Sequence, residues 1–484
     1  MIDSITTLFD LKETDVEYCT ETLKNKVHHF YITLVNRGSR CMNCGTFTKH
    51  IKEYKNKDIN YAILLNEKSI IHYRARRLVC PKCGKTFWEH NPFSTQYSNV
   101  SDKTVNKLLE LLKNYNETFS SVANKVFLST NEVINIFDEH VQLDRHQLSR
   151  CIALDEFYFS RHAKRKYALM VLSLDKGYVI DLLETREKRR IRSFFYDIPK
   201  DEKELVEYVS IDMNEHYRDI IKRCLPHATI CADPFHVIKY INNALDDVRL
   251  RILRKYSDNH RSDEYYLLKF QKHLLFSDAS LDSFKETKRN HHFRYEISDA
   301  EKLDMMLAID SDLETAYLIK EHYMMFDDQL KSPEDQREEL DIIIRKCLSS
   351  QIPEFISIAL TLTNWKEEIL NSFVTYEKYI YKNGKREKVT ARVTSGPIEG
   401  RNKYIKILLH LANGYVNFPR FRNRAMYVLN KNDLPSEVRL VNTIKQERPE
   451  KKKKRKKKGY TLWFFKGVTL QFFKGFNEIP YDFS

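Results

Sequence analysis

The amino-acid sequence predicts a multidomain α/β protein. Two Cys-x-x-Cys pairs lie within the first hundred residues, which predicts a small metal-bound domain ahead of a larger one. A strand-rich segment begins near residue 150 and gives way to a long helical stretch before a last motif near residue 395. We therefore predict an N-terminal zinc ribbon and helix-turn-helix, followed by a mixed α/β core with a large all-α insertion.

The 484 residues leave room for two to four domains. No apolar run approaches the roughly 18 residues that a membrane helix needs, and the first residues do not resemble a signal peptide. The predicted segments are an N-terminal arm at 1–35, a zinc ribbon at 36–95, a helix-turn-helix at 96–146, the first part of the core at 150–245, an all-helical insertion at 246–385, final core helices with a third carboxylate at 386–430, and a basic and aromatic tail at 431–484.

The balance of charge is basic. Lys and Arg number 81 against 67 Asp and Glu, a formal net charge of +14, and the eight residues Lys451–Lys458 supply more than half of it. Without those eight charges the balance is still +6. A nucleic-acid partner would explain this excess, because neutralising phosphates releases counterions; a solvated surface with a charged tail is the alternative. We expect a cytoplasmic, nucleoid-associated protein with no membrane partner.

The cysteine pairs predict one structural Zn²⁺. Residues 41–45 read CMNCG and residues 80–84 read CPKCG. Two residues between thiolates let both sulfurs reach one tetrahedral ion, and four thiolates leave no open position for catalysis. Two unrelated thiol pairs are the alternative. The predicted zinc ligands are Cys41, Cys44, Cys80 and Cys83, and the basic residues beside the second pair that are predicted to contact DNA are Arg74, Arg76, Arg77 and Lys85.

A helix-turn-helix is predicted next. The stretch SDKTVNKLLELLKN has helical periodicity, and TFSSVANKVFLSTNEVINIFDEHV predicts two helices separated by a short turn. Ser129 and Glu132 have the spacing of a capping box at the start of the second of these helices. DNA recognition is one interpretation of this pattern, and an ordinary helical hairpin is the other.

Residues 151–233 alternate between strands and helices. Three strands in hairpin succession, CIALDEFYF, KYALMVLSL and GYVIDLL, precede a helix, a strand, a helix and a strand. This is the order of elements in an RNase H-like core, in which the first and fourth strands are neighbours. Asp155 in the first strand would then lie beside Asp212 at the tip of the fourth. Two close carboxylates repel unless a cation neutralises them, and Mg²⁺ prefers such oxygen ligands. The alternatives are a surface role for Asp155 and a helix cap, shared with Asn214, for Asp212.

The stretch TSGPIEGRNKYIK, residues 394–406, predicts the start of a helix. Gly396 suits the cap and Pro397 the first helical position, and Glu399 then falls in the first turn. Glu399 is either a simple first-turn acid that favours the helix dipole or a third metal ligand. The polar and basic residues that follow favour the metal ligand, and they are predicted to contact DNA phosphates: Arg401, Asn402, Lys403 and Lys406.

Five motifs together resemble the DDE-type insertion-sequence transposases of the ISL-three family. They are the paired zinc knuckles, ALDEFYF, SIDMNEHY, ADPFHVIKYIN and TSGPIEGRNKYIKILLHLANGYVNFPRFRNR, and they span roughly residues 41–430. The resemblance implies that Asp155, Asp212 and Glu399 form a catalytic triad holding two Mg²⁺ (or Mn²⁺) ions, with Asp233 and His236 as an accessory pair. It also implies double-stranded DNA substrates, namely the transposon ends and the target, and a homodimer or higher oligomer in the synaptic complex.

Two positions depart from the family pattern. Pro234 stands where the family usually has a basic residue, and Leu409–Ala412 is apolar apart from His410. These changes would weaken DNA contact and leave the triad intact. Two other functions remain open, a non-catalytic DNA-binding regulator derived from a transposase and a structure-selective nuclease on the same fold. Asp233 has a helix cap as its alternative role, and His236 a hydrogen bond inside the core.

The remaining segments are less informative. Helices are predicted through most of the insertion, where Trp365 either stacks on a displaced base or, as the favoured interpretation, belongs to the core. Beyond Asn430 the resemblance ends. The run Lys451–Lys458 is predicted to seek phosphates, and the tetrapeptide FFKG occurs at 464–467 and again at 472–475 with no function that the sequence decides.

Overall fold

The computed structural model describes residues 8–62, 67–95, 98–160, 165–278, 281–329, 333–382 and 385–432. The predicted basic run and the FFKG repeats therefore lie outside the described residues. Within the described ranges, every helix is too short or too polar to cross a membrane.

The N-terminal region is built on a five-stranded sheet. Its strand order is β1-β2-β6-β5, with β7 paired to β6, and β3 and β4 form a separate small hairpin. The strands are β1 (Val16–Lys24), β2 (Val27–Leu34), β3 (Ser39–Arg40), β4 (Phe47–Thr48), β5 (Ile51–Asn60), β6 (Lys68–Val79) and β7 (Thr86–Trp88). Alternating side chains of β2 and β6 form its core, including Phe30, Ile32, Ile71 and Tyr73.

The predicted N-terminal arm is not a separate unit. Strands β1 and β2 fall within the predicted arm, yet β2 pairs in parallel with β6 of the predicted zinc ribbon. The boundary predicted at residue 35 therefore cuts through one sheet. Sequence pattern missed this because a parallel pairing between distant segments leaves no local turn signal.

Three helices follow in the predicted helix-turn-helix. They are α1 (Asp102–Leu112), α2 (Phe119–Val126) and α3 (Thr130–His140). The capping box is confirmed, because the Ser129 hydroxyl accepts from the backbone N–H of Glu132 and the Glu132 carboxylate accepts from that of Ser129. The turn before it passes through Phe127, whose φ of 54° lies in the left-handed region. Recognition of DNA by this unit stays a prediction.

A second five-stranded sheet forms the centre of the molecule. Its strands are β8 (Cys151–Tyr158), β9 (Tyr167–Ser173), β10 (Val179–Leu183), β11 (Tyr208–Ile211) and β12 (Thr229–Ala232). The order is β10-β9-β8-β11-β12; the first three strands are antiparallel, and β8, β11 and β12 are parallel. The connecting helices are α4 (Lys188–Tyr196), α5 (Lys200–Glu204) and α6 (Glu215–Cys224). The predicted neighbours, first strand and fourth, are therefore adjacent.

The segment predicted to be an all-α insertion is mostly, but not wholly, helical. Its helices are α7 (Pro234–Leu253), α8 (Asp263–Phe270), α9 (Asp282–Lys285), α10 (Asp299–Leu307), α11 (Ser311–Asp327), α12 (Pro333–Ser349), α13 (Pro353–Asn364) and α14 (Lys366–Asn371). The boundary predicted at residue 245 falls inside α7. Trp365 is 2% exposed, with the Arg218 guanidinium 4.2 Å from its ring centroid, so its core interpretation holds.

Two hairpins make the all-α prediction wrong. They are β13 (Thr287–Arg289) with β14 (Glu296–Ser298), and β15 (Thr375–Lys382) with β16 (Lys385–Arg392). The second pair has its register through Lys382 and Lys385, on either side of an Asn-Gly dipeptide in the sequence. That dipeptide between alternating residues is a hairpin signal, and it was missed inside a mainly helical stretch.

The last two helices close one face of the central sheet. They are α15 (Gly396–Leu411) and α16 (Phe418–Leu429). Helix α16 also packs on α1–α3, where the buried Arg424 guanidinium donates to the backbone oxygens of Leu112, Asn114 and Glu117. The helical hairpin and the core are thus joined through one apolar cluster that includes Met426 and Tyr427. The opposite face of the sheet packs on α4, α6, α7 and the insertion.

Candidate active site

Asp155 lies in the middle of β8, on the face of the sheet that α15 and α16 cover. Its Oδ1 accepts from the backbone N–H of Glu156 at 2.8 Å, and its Oδ2 accepts from Nδ2 of Asn402 at 2.7 Å. Burial raises the pKa of this carboxyl to about 6, and the negative charges of Asp233 and Asp212 act in the same direction. Glu156 points away, as strand alternation predicts, and accepts from the Tyr217 hydroxyl at 2.6 Å.

Asp212 follows directly after β11, the strand next to β8. Burial raises its pKa to about 6, and its Oδ1 is buried without a hydrogen-bond partner among the described residues. The alternative role as a cap of α6 is not seen. Asn214 is the N-cap, because its side chain accepts from the backbone N–H of His216. Asp212 therefore has a buried carboxylate oxygen that no donor in the described part of the chain satisfies.

Asp233 connects three elements at the end of β12. It is 1% exposed. One oxygen accepts from His236 Nδ1 at 2.8 Å and the other from the backbone N–H of Ser395 at 3.1 Å. Its side chain makes no cap hydrogen bond to α7, so Asp233 is not a simple helix cap. Burial opposes the charge of His236, but the hydrogen bond and charge of Asp233, together with Asp212 and Asp155, raise the pKa of this imidazole.

Glu399 lies in the first turn of α15, at the margin of the acidic group. The residue is exposed, yet partial burial of its carboxyl raises its pKa, and the charge of Asp233 adds to the shift. His236, Lys406 and Lys239 act in the opposite direction. The structure thus gathers Asp155, Asp212, Asp233 and His236 at one end of the parallel strands and brings Glu399 near the Asp233–His236 pair. Among the described acids and histidines, no three residues bring one ligand atom each within 4.8 Å of one another.

Helix α15 is tied to the sheet by three polar contacts. Ser395, its N-cap, donates its backbone N–H to Asp233, and its hydroxyl lies 3.0 Å from that of Ser210 on β11. The third contact is the hydrogen bond from Asn402 to Asp155. Sequence reasoning placed the cap at Gly396 and did not single out Ser210 or Ser395. A serine before Gly-Pro is a sequence signal for a helix N-cap, so Ser395 could have been predicted. No sequence pattern indicates that Ser210 on β11 is its partner.

The predicted DNA contacts divide into exposed and internal residues. Arg76 is 1% exposed and forms ion pairs with Glu89 and Glu17, so its prediction as a DNA contact is wrong. Asn402 is 9% exposed and donates to Asp155, so it lies beside that carboxylate and not on the exposed face of α15. Arg401 donates to the backbone oxygens of Leu429 and Gly177. The residues left at least partly exposed are Arg74, Arg77, Lys85, Lys403 and Lys406.

The four predicted zinc ligands converge. Their sulfur atoms all lie within 4.8 Å of one another, with Cys44 to Cys80 at 3.4 Å and Cys41 to Cys83 at 3.7 Å. Each knuckle closes through a glycine N–H at positive φ, Gly45 to the Cys41 oxygen and Gly84 to the Cys80 oxygen. Hydrogen bonds from Thr46 lower the pKa of the Cys44 thiol to about 6. Sulfurs about 3.7 Å apart suit a tetrahedral ion with Zn–S bonds of about 2.3 Å, so the group fits a structural zinc.

Comparison with known proteins agrees with the motifs. A family model described as "Transposase", of the DDE type and the ISL-three family, matches residues 152–425. The transposase for insertion sequence element IS1001 from Bordetella parapertussis is 25% identical over 215 residues, which cover 43% of this chain and 52% of that protein. The transposase for insertion sequence element IS1557 from Mycobacterium tuberculosis (strain CDC 1551 / Oshkosh) is 30% identical over 114 residues, 24% of this chain and 25% of that protein.

This chain therefore spans about half and about a quarter of the lengths of these two relatives. The family model is the stronger evidence, because the interval that it matches covers more than half of the chain. That interval contains the central sheet, the insertion and the five predicted site residues Asp155, Asp212, Asp233, His236 and Glu399. The chain belongs to the ISL-three family of DDE transposases.

Proposed function

We propose that this protein binds the terminal inverted repeats of its insertion sequence and catalyses metal-dependent DNA strand cleavage and strand transfer by a DDE mechanism. Asp155, Asp212 and Glu399 are the proposed catalytic acids. One observation carries the proposal: two half-buried acids from neighbouring parallel strands lie near each other inside the family-matched region, and the helix that bears Glu399 is hydrogen-bonded to the same group.

The fold proposed for the core is RNase H-like. The sheet order β10-β9-β8-β11-β12, with three antiparallel strands followed by two parallel neighbours, supports that assignment. In open sheets with parallel strands, ligands bind beyond the carboxyl ends of those strands. Asp212 and Asp233 follow β11 and β12 directly, which puts them at this edge.

The acidic group fits divalent cations. Two carboxyls with a pKa of about 6 and a buried oxygen without a donor are costly in the protein alone, and hard cations prefer such oxygens. Asp155, Asp212 and Glu399 would hold Mg²⁺ (or Mn²⁺), and two such ions activate an attacking oxygen and stabilise the leaving one. Glu399 is exposed in the first turn of α15, and its carboxylate would turn towards the two aspartates in the metal-bound protein. Asp233 and His236 hold the start of α15 in place for this step.

DNA binding is assigned to two sets of residues, one on α15 and one in the N-terminal region. Lys403 and Lys406 lie four and seven residues after Glu399, so they share its face of α15 and are placed to meet the phosphates of the cleaved strand. Arg74, Arg77 and Lys85, together with the helix-turn-helix, would bind the terminal repeat, with the cysteine cluster holding one structural Zn²⁺. Transposition joins two ends, so we propose at least a homodimer acting at the nucleoid.

An excision assay tests the proposal. The flanking DNA of the gene, with its candidate terminal repeats, would bracket a reporter in cells that make the intact protein or Glu399→Gln. Excision by the intact protein alone supports the triad. Equal excision by both would remove Glu399 from the chemistry and make Asp233 the candidate third ligand.

A strand-joining assay with purified protein separates the other two functions. A regulator would bind the repeats and give no products, and a nuclease would cut without joining. The presence of all three acids argues against a non-catalytic regulator, and the match to a transposase family model favours the transposase over a nuclease.

A further inference from the structure

Asn402 lies where the helix that carries Glu399 meets the strand that carries Asp155. Its Nδ2 donates to Asp155 Oδ2 at 2.7 Å, across a sequence separation of 247 residues. An ionised carboxylate only accepts hydrogen bonds, so the amide must present its NH₂ group to Asp155. Asn402 is thereby committed to the acidic group and turned away from any DNA on the outer face of α15.

Two donors from different elements hold the Asp155 carboxylate. One is the backbone N–H of Glu156 on the same strand, at 2.8 Å, and the other is the Asn402 amide from α15. Each carboxylate oxygen has a second lone pair that stays available, so both donors orient the group without using up its capacity to bind a cation. Only the Asn402 contact also links Asp155 to the helix of Glu399.

The other half of the Asn402 amide is an independent observation. Its Oδ1 is buried and has no hydrogen-bond partner among the described residues, as is true of Asp212 Oδ1. A buried oxygen without a donor costs free energy, so each is matched to a group that the protein chain does not supply. A hydrated cation between the acids would satisfy such oxygens.

We infer that Asn402 is a positioning residue of the metal site, which orients Asp155 for divalent-cation binding and keeps the Glu399 helix in register with it. The inference rests on the proposed function and changes the role of Asn402 from DNA contact to metal-site support. Residues that orient metal ligands in this way typically contribute about 10- to 100-fold to metal affinity or activity.

The test uses the full-length, zinc-loaded protein with three substitutions. Asn402→Ala removes the amide, and Asn402→Leu removes it while keeping the size of the side chain, so that α15 stays packed. Lys403→Ala, one residue further on the exposed side of the helix, is the matched control for DNA contact. Three quantities are measured: the affinity for Mn²⁺ by titration calorimetry, the affinity for terminal-repeat DNA by gel shift without Mg²⁺, and end cleavage as a function of Mg²⁺ concentration.

We expect both Asn402 variants to bind Mn²⁺ about 10- to 100-fold more weakly and to need correspondingly more Mg²⁺ for cleavage, with unchanged DNA affinity. Lys403→Ala should show the reverse pattern, weaker DNA binding at unchanged Mn²⁺ affinity. Thermal unfolding shows whether each variant is folded. If Asn402→Ala is unfolded, the test is made with Asn402→Leu.

The outcomes separate this inference from the proposed function. If the intact protein cleaves DNA and the Asn402 variants bind Mn²⁺ as tightly as it does, the role inferred for Asn402 is wrong and the proposed transposase function stands. The same conclusion follows if the variants lose DNA affinity and keep their Mg²⁺ dependence. Weaker Mn²⁺ binding by the variants, in a protein that never cleaves the repeats, supports the role of Asn402 and contradicts the proposed reaction.

Discussion

The cysteine cluster and the acidic group are both assembled from distant parts of the chain, but only the cysteines are already in ligand geometry. Four sulfurs lie within 4.8 Å of one another, whereas no such set of three exists among the described acids and histidines. The thiols come as two knuckles, and each knuckle is set by a short turn closed by a glycine. The acids come one at a time, from β8, from the ends of β11 and β12, and from α15.

The difference matches the two roles proposed for these sites. A structural ion must be held by a closed, prearranged set of ligands, because its binding stabilises the fold. A catalytic ion must leave room for substrate oxygens, so its ligands need only come close. The pKa values of Asp155 and Asp212 are raised chiefly by burial, so keeping both carboxyls charged in this partly buried site is unfavourable for the protein alone.

Removing one ligand from the cysteine cluster should have the largest effect. Cys80→Ser is expected to unfold the N-terminal sheet and abolish terminal-repeat binding, because structural zinc contributes on the order of 10 kcal/mol of binding free energy to folding. Limited proteolysis and gel shift measure the two effects. Cys19→Ser, a free cysteine on β1 outside the cluster, is the control and should behave like the intact protein. Normal repeat binding by Cys80→Ser would show that the cluster is not needed for the fold.

Replacing one of the proposed catalytic acids should abolish DNA cleavage without unfolding the protein. Asp212→Asn is expected to lower end cleavage about a thousandfold or more, since a metal ion contributes several kcal/mol to the transition state. The measurement is cleavage of labelled repeat DNA with Mg²⁺. Asp197→Asn, an exposed acid at the end of α4, is the control for a generic loss of charge. Cleavage by Asp212→Asn within tenfold of the control would contradict the triad.

The same substitution should stabilise the metal-free protein. The pKa of Asp212 is raised to about 6, above its unfolded value, so its contribution to stability falls as pH rises from about 4 to 6. Asn does not carry this cost. At pH 7 without Mg²⁺, the free energy of unfolding of Asp212→Asn should therefore exceed that of the intact protein by on the order of 1–3 kcal/mol, and its unfolding temperature should be higher. The difference should vanish near pH 4. Thermal unfolding across this pH range checks it, and a less stable variant at pH 7 would contradict the unfavourable burial of the charged Asp212 carboxyl.

The smallest effect is expected at the link between α15 and the sheet. Ser395→Ala removes the hydroxyl contact with Ser210 and keeps the backbone hydrogen bond to Asp233, so the loss of stability should be about 1 kcal/mol. Cleavage should fall less than about tenfold, because Glu399 stays anchored. Unfolding curves and end cleavage measure both quantities. A loss of cleavage as large as that of Asp212→Asn would instead put Ser395 in the chemistry.

Local patterns predicted what depends on short spacing. The cysteine knuckles and the capping box at Ser129 and Glu132 each involve residues three positions apart, so the chain itself sets their geometry. The neighbouring strands of Asp155 and Asp212 were also predicted, because the order of strands and helices constrains which strands can lie side by side. The hairpin β15–β16 was missed although its turn signal was local, since the surrounding helices dominated the pattern.

By itself, then, the sequence identified the four cysteines that converge, the candidate catalytic acids and the elements that bear them, since residue type and local spacing carry that information. Only the tertiary structure decided that Arg76 and Asn402 are internal, that β1 and β2 join the sheet of the zinc knuckles, and that α16 holds the helical hairpin through Arg424. The physical reason is that burial depends on what covers a side chain. Asn402 and Asp155 are 247 residues apart, and no local pattern distinguishes a polar residue that faces DNA from one that faces a carboxylate.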